Sequence, residues 1–259
     1  MSAYSSGRHE HGQNFLTDPR AVDLLLAHVH STSGPIVEIG GGDGALTHPM
    51  AHLDRPLTVL EIDEQLSLRL KSTVANDHVH IINADFLRYR LPGDPHVVIG
   101  NIPFHLTTAI LRRLLRAPAW TDSVLLMQWE VARRRAGVGA STMMTAQWSP
   151  WFEFTLGERI PARSFTPRPA VDGGVLIIRR RTSPILPVQQ RKSFHELVHS
   201  VYTGRGRGLQ DILERRRIAP RSESTAVVES LGIHRAALPS ELTVEQWAGL
   251  FMGVRRGRR

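Results

Sequence analysis

The stretch "PIVEIGGGDGALT", residues 35–47, decides the fold class of this chain. A short apolar run ends at Gly40, and a helical pattern opens at Ala45 after a loop with three further glycines. Glycines in such a turn let the backbone bend tightly and approach a bound ligand closely. The spacing Gly40-Xaa-Gly42 fits both dinucleotide-binding loops and the nucleoside loop of methyltransferases. The stretch therefore predicts a nucleoside-binding unit, and it leaves an NAD enzyme, an S-adenosylmethionine enzyme and a ligand-free glycine turn open.

Short apolar runs and helical patterns alternate on both sides of this stretch. The predicted strands are "PIVEIG" (35–40), "LTVLEID" (57–63), "HVHIINAD" (78–85), "HVVIGN" (96–101) and "DSVLLMQ" (122–128), and helices are predicted at 45–53, 64–72 and 106–116. Such alternation is typical of a parallel sheet covered on both faces. Two longer runs, "WFEFTLGERI" (151–160) and "GGVLIIRRR" (173–181), predict an antiparallel pair at one sheet edge. The fold class is therefore α/β, with a Rossmann-like domain.

Beyond Pro187 the pattern is helical only, so we predict an α/β domain over residues 1–182 and a small all-helical domain over 183–259. Charge follows this division, because residues 1–180 hold 18 Lys or Arg against 17 Asp or Glu, whereas residues 181–259 hold 14 against 7. Such a basic segment is typical of a domain that binds a polyanion such as RNA. We expect Arg205, Arg207, Arg215 and Arg216, in "TGRGRG" (203–208) and the following arginine run, to contact RNA.

Composition excludes several other classes. Hydrophobic residues make up 41% of the chain, which argues against disorder, and no apolar run is long enough to span a membrane. Cysteine is absent, which removes disulfides and thiolate metal ligands and fits a reducing compartment. We therefore expect a cytoplasmic monomer that binds neither a membrane nor a metal.

Acidic residues end the second and third predicted strands. Glu61 can accept both ribose hydroxyls of a nucleoside cofactor, which fits the NAD and the S-adenosylmethionine interpretations alike. Asp85, in "NADF" after the third strand, can accept the adenine amino group of a cofactor, or it can cap a helix. Asp85 therefore gives only weak evidence for distinguishing an S-adenosylmethionine enzyme from an NAD enzyme.

The stretch "VVIGNIPFHL" (97–106) distinguishes the NAD and S-adenosylmethionine interpretations further. An exocyclic amine of a nucleobase is a poor nucleophile, because its lone pair is delocalised into the ring. A site that accepts both amino hydrogens, on the Asn101 side-chain oxygen and the main-chain carbonyl of Ile102, localises that lone pair. Phe104 offers a ring face on which the base can stack. This stretch favours N-methylation of a base, with Asn101, Ile102 and Phe104 as the catalytic residues.

These residues resemble the ribosomal RNA adenine dimethyltransferases, which comprise the Erm macrolide-resistance methylases and the related KsgA enzymes. The resemblance runs through nearly the whole chain, in the order Gly12–Leu16, Glu38–Gly40, Glu61, Asp85, Asn101–Phe104, "SFTPRPAVDG" (164–173) and "LPSELTVEQWAGLF" (238–251). It implies S-adenosylmethionine as the cofactor. The cofactor contacts it implies are Gln13, Asn14, Leu16, Gly40, Gly42, Glu61, Ile62, Asp85, Phe86 and Asn101. It also implies that Phe165 joins Phe104 in holding a flipped target adenine.

Within this family, "NIPFHLTT" (101–108) is more similar to the Erm branch than to KsgA, which usually reads Asn-Leu-Pro-Tyr. Arg168 and Ala170 also depart from the KsgA pattern. The resemblance then implies N6 methylation of one adenine in 23S rRNA, naked or in an assembling large subunit, and resistance to macrolides, lincosamides and streptogramin B. The alternative is a KsgA-like 16S rRNA adenine dimethyltransferase. Two departures from the family concern the target base. Phe104 replaces the commoner tyrosine, and Asp172-Gly173-Gly174 is expected to loosen the end of the target loop, which the resemblance places at residues 164–173.

Two interpretations from other classes compete with this one. "HELVH" (195–199) matches the zinc-protease signature, in which both histidines share one helix face. We favour instead a helix whose apolar residues pack while His195 and His199 face solvent or RNA. The arginine runs alone would suit an RNA-binding protein without catalytic activity. The cofactor pattern argues against such a protein, and failure to bind S-adenosylmethionine would favour it.

Overall fold

A computed structural model describes residues 14–256 of the chain. Its strands are β1 Phe15–Leu16, β2 Ile36–Ile39, β3 Leu57–Glu61, β4 Val79–Asn83, β5 His96–Asn101, β6 Trp120–Gln128, β7 Phe152–Ile160, β8 Phe165–Thr166 and β9 Gly173–Arg180. Its helices are α1 Pro19–His30, α2 Thr47–Met50, α3 Glu64–Thr73, α4 Thr107–Arg116, α5 Trp129–Arg135, α6 Met143–Trp148, α7 Arg191–Tyr202, α8 Leu209–Arg215, α9 Arg221–Ser230 and α10 Val244–Arg256. No helix in this part of the chain is long and apolar enough to cross a membrane.

Seven strands form one mixed sheet in the order β4-β3-β2-β5-β6-β9-β7. Strands β2 to β6 pair in parallel, and β9 runs antiparallel to β6. The predicted strands are confirmed: β2 and β5 are buried apolar runs, whereas β4, at one edge of the sheet, is only partly buried. The chain builds outward from β2 to β4, then returns to β5 on the other side of β2. The strand order therefore reverses between β2 and β5, and open α/β sheets bind ligands at the carboxyl ends of the strands there.

Helix α1 begins with a capping residue followed by a proline. Asp18 is the N-cap, where its carboxylate accepts the Arg20 N–H at 3.0 Å, and Pro19 occupies the first turn. The buried face of α1, which includes Leu25 and Val29, packs into the main core. The helix predicted over 45–53 is shorter, since residues 42–46 complete the glycine turn and α2 ends at Met50.

The chain packs as two compact units, one formed by residues 1–133 and 155–179 and the other by 134–154 and 180–259. The last boundary along the chain, between residues 179 and 180, lies close to the boundary predicted between residues 182 and 183. Residues 134–154, which we expected in the first domain, belong to the second unit, because α6 packs against α7. Apart from 152–154 of β7 and Arg180 at the end of β9, the described part of the second unit is helical or irregular.

A second sheet of two short strands was not predicted. β1 pairs antiparallel with β8, which sets Leu16 opposite Phe165. Thr17 extends the ladder, since its N–H donates to the Ser164 carbonyl at 2.9 Å. The N-terminal segment is thereby attached to the loop between β7 and β9.

Candidate active site

A cleft opens at the carboxyl ends of β2, β3 and β5, at the reversal of strand order. The space within it, counted together with the open solvent at its mouth, is about 740 Å³. Its walls are Asn14, Phe15, Leu16, Glu38, Gly40, Gly41, Gly42, Asp43, Ala45, Leu46, Glu61, Ile62, Asn101, Ile102, Pro103 and Phe104. The structure therefore brings together nine of the predicted site residues: Asn14, Leu16, Gly40, Gly42, Glu61, Ile62, Asn101, Ile102 and Phe104.

The glycine loop is held in place by the acid at the end of β3. Gly42 has a φ of 55°, in the left-handed region, and its N–H donates to Glu61 Oε2 at 2.8 Å. Glu61 Oε1 accepts the Asp63 N–H at 2.9 Å. An ionised carboxylate offers about four lone-pair sites, so Glu61 keeps acceptor capacity toward the cleft after binding both amides.

The aromatic ring of Phe15 bounds the same loop. A Cβ placed on Gly42 would lie 3.3 Å from two of the ring's carbon atoms. Ile62, at the other side of the β3 end, is 57% exposed and offers an apolar surface at the cleft. These residues form apolar walls around a polar floor of backbone amides and carboxylates.

Glu38 lies at the bottom of the cleft, in the middle of β2, and is only 1% exposed. Its Oε2 accepts the Thr47 hydroxyl at 2.7 Å. Burial, together with the nearby Glu61 carboxylate, raises the pKa of Glu38 to about 8. The cleft therefore contains one protonated carboxyl group at neutral pH.

Asn101, the last residue of β5, is oriented by the N-terminal segment. Its Nδ2 donates to the Asn14 main-chain carbonyl at 2.8 Å. A carbonyl can only accept, so the amide nitrogen must occupy that side and Oδ1 remains an acceptor on the other side. The Ile102 N–H donates to the Leu126 carbonyl at 3.0 Å, which fixes the peptide at the start of the Ile-Pro-Phe turn.

Gly100 allows β5 to lie this close to β2. A Cβ at Gly100 would lie 2.6 Å from the Ile39 carbonyl oxygen, closer than real Cβ atoms come to a backbone atom. Only glycine therefore fits one residue before Asn101 without displacing the strand. The glycine that the sequence places before "NIPF" has a packing role.

Asp85 and Phe86 lie outside this cleft wall. Asp85 follows β4, and its Oδ1 accepts the Leu87 N–H at 2.8 Å, so the side chain caps the turn after the strand. Its Oδ2 lies 3.8 Å from the Arg88 guanidinium. Phe86 is buried. Asp85 and Phe86 follow β4, which pairs with β3. Their contacts with the cofactor stay a prediction.

Phe165 lies away from the cleft wall too. It is 2% exposed and belongs to the main core with Leu16, Leu126 and Val175. A Cβ on Gly173 would lie 2.9 Å from the Phe165 ring, so this glycine provides the space in which the ring packs. The role of Phe165 in holding a base also stays a prediction.

The target loop is tied down rather than loosened by Asp172-Gly173-Gly174. Asp172 accepts the Ala162 N–H and the Arg159 Nε–H, each at 2.8 Å. These hydrogen bonds hold the pKa of Asp172 below its usual value. Gly173 and Gly174 pair with β6 as ordinary strand residues. The expectation that these glycines loosen the end of the loop was wrong, because pairing with β6 fixes the backbone of both.

The arginines expected to contact RNA lie in the second unit and are exposed. Arg215 pairs with Asp211 at 2.6 Å, and Arg216 donates to the Thr203 carbonyl at 2.8 Å. Arg205 and Arg207 lie in the glycine-containing loop before α8. The predicted contact at Gln13 lies outside the described residues.

The "HELVH" helix differs from expectation at one histidine. The His195 ring packs edge-on against Trp148, with centroids 4.7 Å apart, instead of facing solvent. His199 is exposed, as expected. Among residues 14–256, no three His, Asp or Glu side chains form a group that could hold a metal ion. The zinc-protease interpretation therefore has no third ligand in the described structure.

Sequence reasoning missed several residues of the cleft wall. Phe15, Asp43, Leu46 and Pro103 were not assigned to the site, and Glu38 was quoted only as part of a motif. These residues lie in the sequence beside or close to predicted site residues, and that proximity is the signal that could have identified them. The glycine loop and the N-terminal motif each contribute a whole segment to the wall.

The fold and the cleft define a class of protein: a Rossmann-like methyltransferase with the Asn101 side chain in the wall of its cleft. The chain belongs to the ribosomal RNA adenine dimethylase family, whose model matches residues 4–254. It is thus an enzyme that methylates adenine in ribosomal RNA, and the predicted family, fold class and enzyme class are confirmed.

Individual relatives agree with this family. The chain is 61% identical, over 83% of its length and 85% of the relative, to an rRNA adenine N-6-methyltransferase of Corynebacterium diphtheriae. It is 47% identical, over 95% of its length and 78% of the relative, to the mycinamicin-resistance protein MyrB of Micromonospora griseorubida. Its structure matches the crystal structure of the 23S rRNA methyltransferase ErmE with a TM-score of 0.85 and 31% identity, covering 93% of this chain and 100% of that one.

Proposed function

We propose that the protein transfers a methyl group from S-adenosylmethionine to N6 of one adenine in 23S rRNA, and thereby confers resistance to macrolides, lincosamides and streptogramin B. The names of MyrB and ErmE support the target and the resistance. The observation that carries the chemistry is the bond from Asn101 Nδ2 to the Asn14 carbonyl, which leaves Oδ1 as an oriented acceptor beside Phe104.

The cleft suits a nucleoside cofactor with a charged end. Glu61 has acceptor capacity for ribose hydroxyls, the positive φ of Gly40 and Gly42 brings backbone close to a ligand, and Ile62 offers an apolar face to a base. Asp85 and Phe86 follow the adjacent strand and would meet the adenine. When bound, S-adenosylmethionine supplies an electrophilic methyl group on a sulfonium, whose charge provides the driving force for transfer.

The chain itself contributes mainly positioning. Asn101 Oδ1 and the Ile102 carbonyl accept the two amino hydrogens of the target adenine, which localises the nitrogen lone pair toward the methyl donor. Phe104 stacks on the base and fixes its plane, and holding the two reacting atoms in line provides most of the acceleration. The adenine is extruded from its stack to reach this position.

RNA binding falls to the second unit in this proposal. Arg205, Arg207, Arg215 and Arg216 are exposed and contact phosphates of the RNA backbone. Phe165 would contact the base from the other side of the pocket. The protein acts in the cytoplasm as a monomer, on 23S rRNA that is naked or in an assembling subunit.

One experiment tests the target. The purified protein is incubated with methyl-labelled S-adenosylmethionine and a mixture of 16S and 23S rRNA, the two RNAs are separated, and the modified base is mapped by primer extension. Label at a single adenine of 23S rRNA supports the proposal. Label in 16S rRNA would instead identify a KsgA-like enzyme.

A second experiment tests the mechanism. Asn101→Ala removes the amine acceptor, and we expect transfer to fall by at least about 100-fold, as for other preorganised transition-state contacts. Cofactor affinity, measured by calorimetry, should weaken much less, because Glu61 and the glycine loop remain. Turnover near that of the wild type would refute the mechanism.

A further inference from the structure

The second unit contains an arginine wedged between tryptophans. The Arg191 guanidinium, in the first residue of α7, lies 5.1 Å from the ring centroid of Trp148 and 5.2 Å from that of Trp151. Phe194 packs edge-on against Trp151 on the same cluster. Two indole faces therefore hold the guanidinium, and cation–π attraction fixes its orientation.

A second arginine lies beside the first. The Arg180 guanidinium lies 4.7 Å from the ring centroid of Phe152. Burial, and to a lesser extent the charge of Arg191, lowers the pKa of Arg180. Burial also lowers the pKa of Arg191. Arginine stays protonated in proteins, so two positive charges lie close together against an aromatic surface.

Arg191 has no anionic partner in the described structure. Its Nε is buried and has no hydrogen-bond partner among residues 14–256, and none of their carboxylates lies within ion-pair distance. Arg181, the residue that follows β9, shows the usual arrangement, since it pairs with Glu153 at 2.7 Å and donates to the Ser149 carbonyl. A half-buried cation without a partner is costly, because burial removes hydration that nothing replaces.

An anion would remove this cost. A phosphate group has several acceptor oxygens, and guanidinium groups bind phosphate through parallel, charge-assisted hydrogen bonds. Because Nε of Arg191 is buried, its two terminal guanidinium nitrogens are the donors available to such a ligand. The enzyme's substrate is ribosomal RNA, whose backbone presents a phosphate at every nucleotide.

We propose that Arg180 and Arg191, held on the cluster of Trp148, Trp151 and Phe152, form a binding site for a backbone phosphate of the RNA substrate. This site is additional to the exposed arginines 205, 207, 215 and 216. It rests on the proposed RNA-binding role of the second unit but not on the choice of 23S over 16S rRNA. It positions RNA and takes no part in the chemical step.

The test measures RNA binding without cofactor, as a function of salt. A phosphate contact contributes about 0.7 to 0.9 to the slope of log affinity against log salt. We expect Arg191→Gln to lower the slope by about that amount and to weaken affinity about tenfold. Arg191→Lys, which keeps the charge, should retain the slope. The matched control is Arg235→Gln, which removes an exposed arginine paired with Glu229 at 2.8 Å, and it should leave the slope unchanged.

Further measurements separate this role from folding and from a simple ion site. Arg180→Gln should reproduce the effect of Arg191→Gln, and both variants should keep the wild-type kcat at saturating RNA with a raised KM. Inorganic phosphate, titrated while tryptophan fluorescence is followed, should bind wild-type protein only weakly. An unchanged salt slope in both variants would overturn the proposal. Tight phosphate binding with unaltered RNA affinity in the variants would also overturn it, since the site would then serve a free anion.

Discussion

The protonated carboxyl at the bottom of the cleft leads to a quantitative prediction. Glu38 has a pKa of about 8 in the folded protein against an ordinary value of 4.5. Between these values the folded state retains a proton that the unfolded chain has released. Unfolding therefore releases a proton in this range and becomes easier as pH rises.

The size of the effect follows from the same two values. At about 1.4 kcal/mol per pKa unit, ionisation of Glu38 lowers the free energy of unfolding by up to about 5 kcal/mol between pH 4.5 and pH 8. Water entering the cleft would solvate the carboxylate, so this value is an upper bound. Below pH 4 and above pH 9 the contribution is constant, because Glu38 has the same protonation in both states.

The assay compares wild type with Glu38→Gln, which cannot ionise and can still accept the Thr47 hydroxyl. Urea unfolding, followed by fluorescence and circular dichroism, gives the free energy of each protein from pH 5 to pH 9. The variant should gain stability relative to wild type as pH rises, with most of the gain by pH 8. Glu64→Gln, on the exposed first turn of α3, controls for the loss of one carboxylate. A stability difference that is constant from pH 5 to pH 8 would refute the reasoning, and a carbon-13 NMR titration of Glu38 would check it directly.

Three shorter predictions concern the cofactor, the base and the sheet. Glu61→Ala should abolish S-adenosylmethionine binding in calorimetry while RNA affinity is retained, and unchanged cofactor affinity would contradict the assignment. Phe104→Leu should reduce methyl transfer more than Phe104→Tyr does, since only tyrosine keeps the stacking face; equal rates would exclude stacking. Gly100→Ala should lower the free energy of unfolding by about 1–3 kcal/mol because its Cβ meets the Ile39 carbonyl. Gly93→Ala, where a Cβ meets nothing within 4 Å, is its control and should change stability by less than about 0.5 kcal/mol.

The parallel sheet and most of the cleft could be predicted because their signals are local. Each strand is a short apolar run with a polar residue at its end, and in a parallel sheet those ends meet at one edge. Glu61 and Asn101 follow from this rule, although β3 and β5 are separated in sequence. The boundaries of β5 and α3 agree with prediction to within a residue, since glycine, proline and a capping Asp63 mark them.

Features that depend on distant contacts could not be predicted. A two-residue strand such as β1 has no periodicity, and its pairing with β8 joins segments about 150 residues apart. Residues 134–154 carry no signal that they pack with the second unit. The burial of Glu38 and of Phe165 likewise results from neighbours that the sequence does not place. His195 packs against Trp148 although the sequence predicts that it faces solvent or RNA. A short motif does not show which side chains from other segments pack against it.

The N-terminal segment connects the two sides of the proposed base site. The Asn14 carbonyl orients the Asn101 side chain, which is the proposed amine acceptor. Four residues later, Asp18 caps α1 and also accepts the Ser164 hydroxyl at 2.8 Å, directly before Phe165. The groups proposed to hold the adenine from opposite sides are thus bound to one short stretch of chain. A change in the path of residues 14–18 would therefore move both groups together.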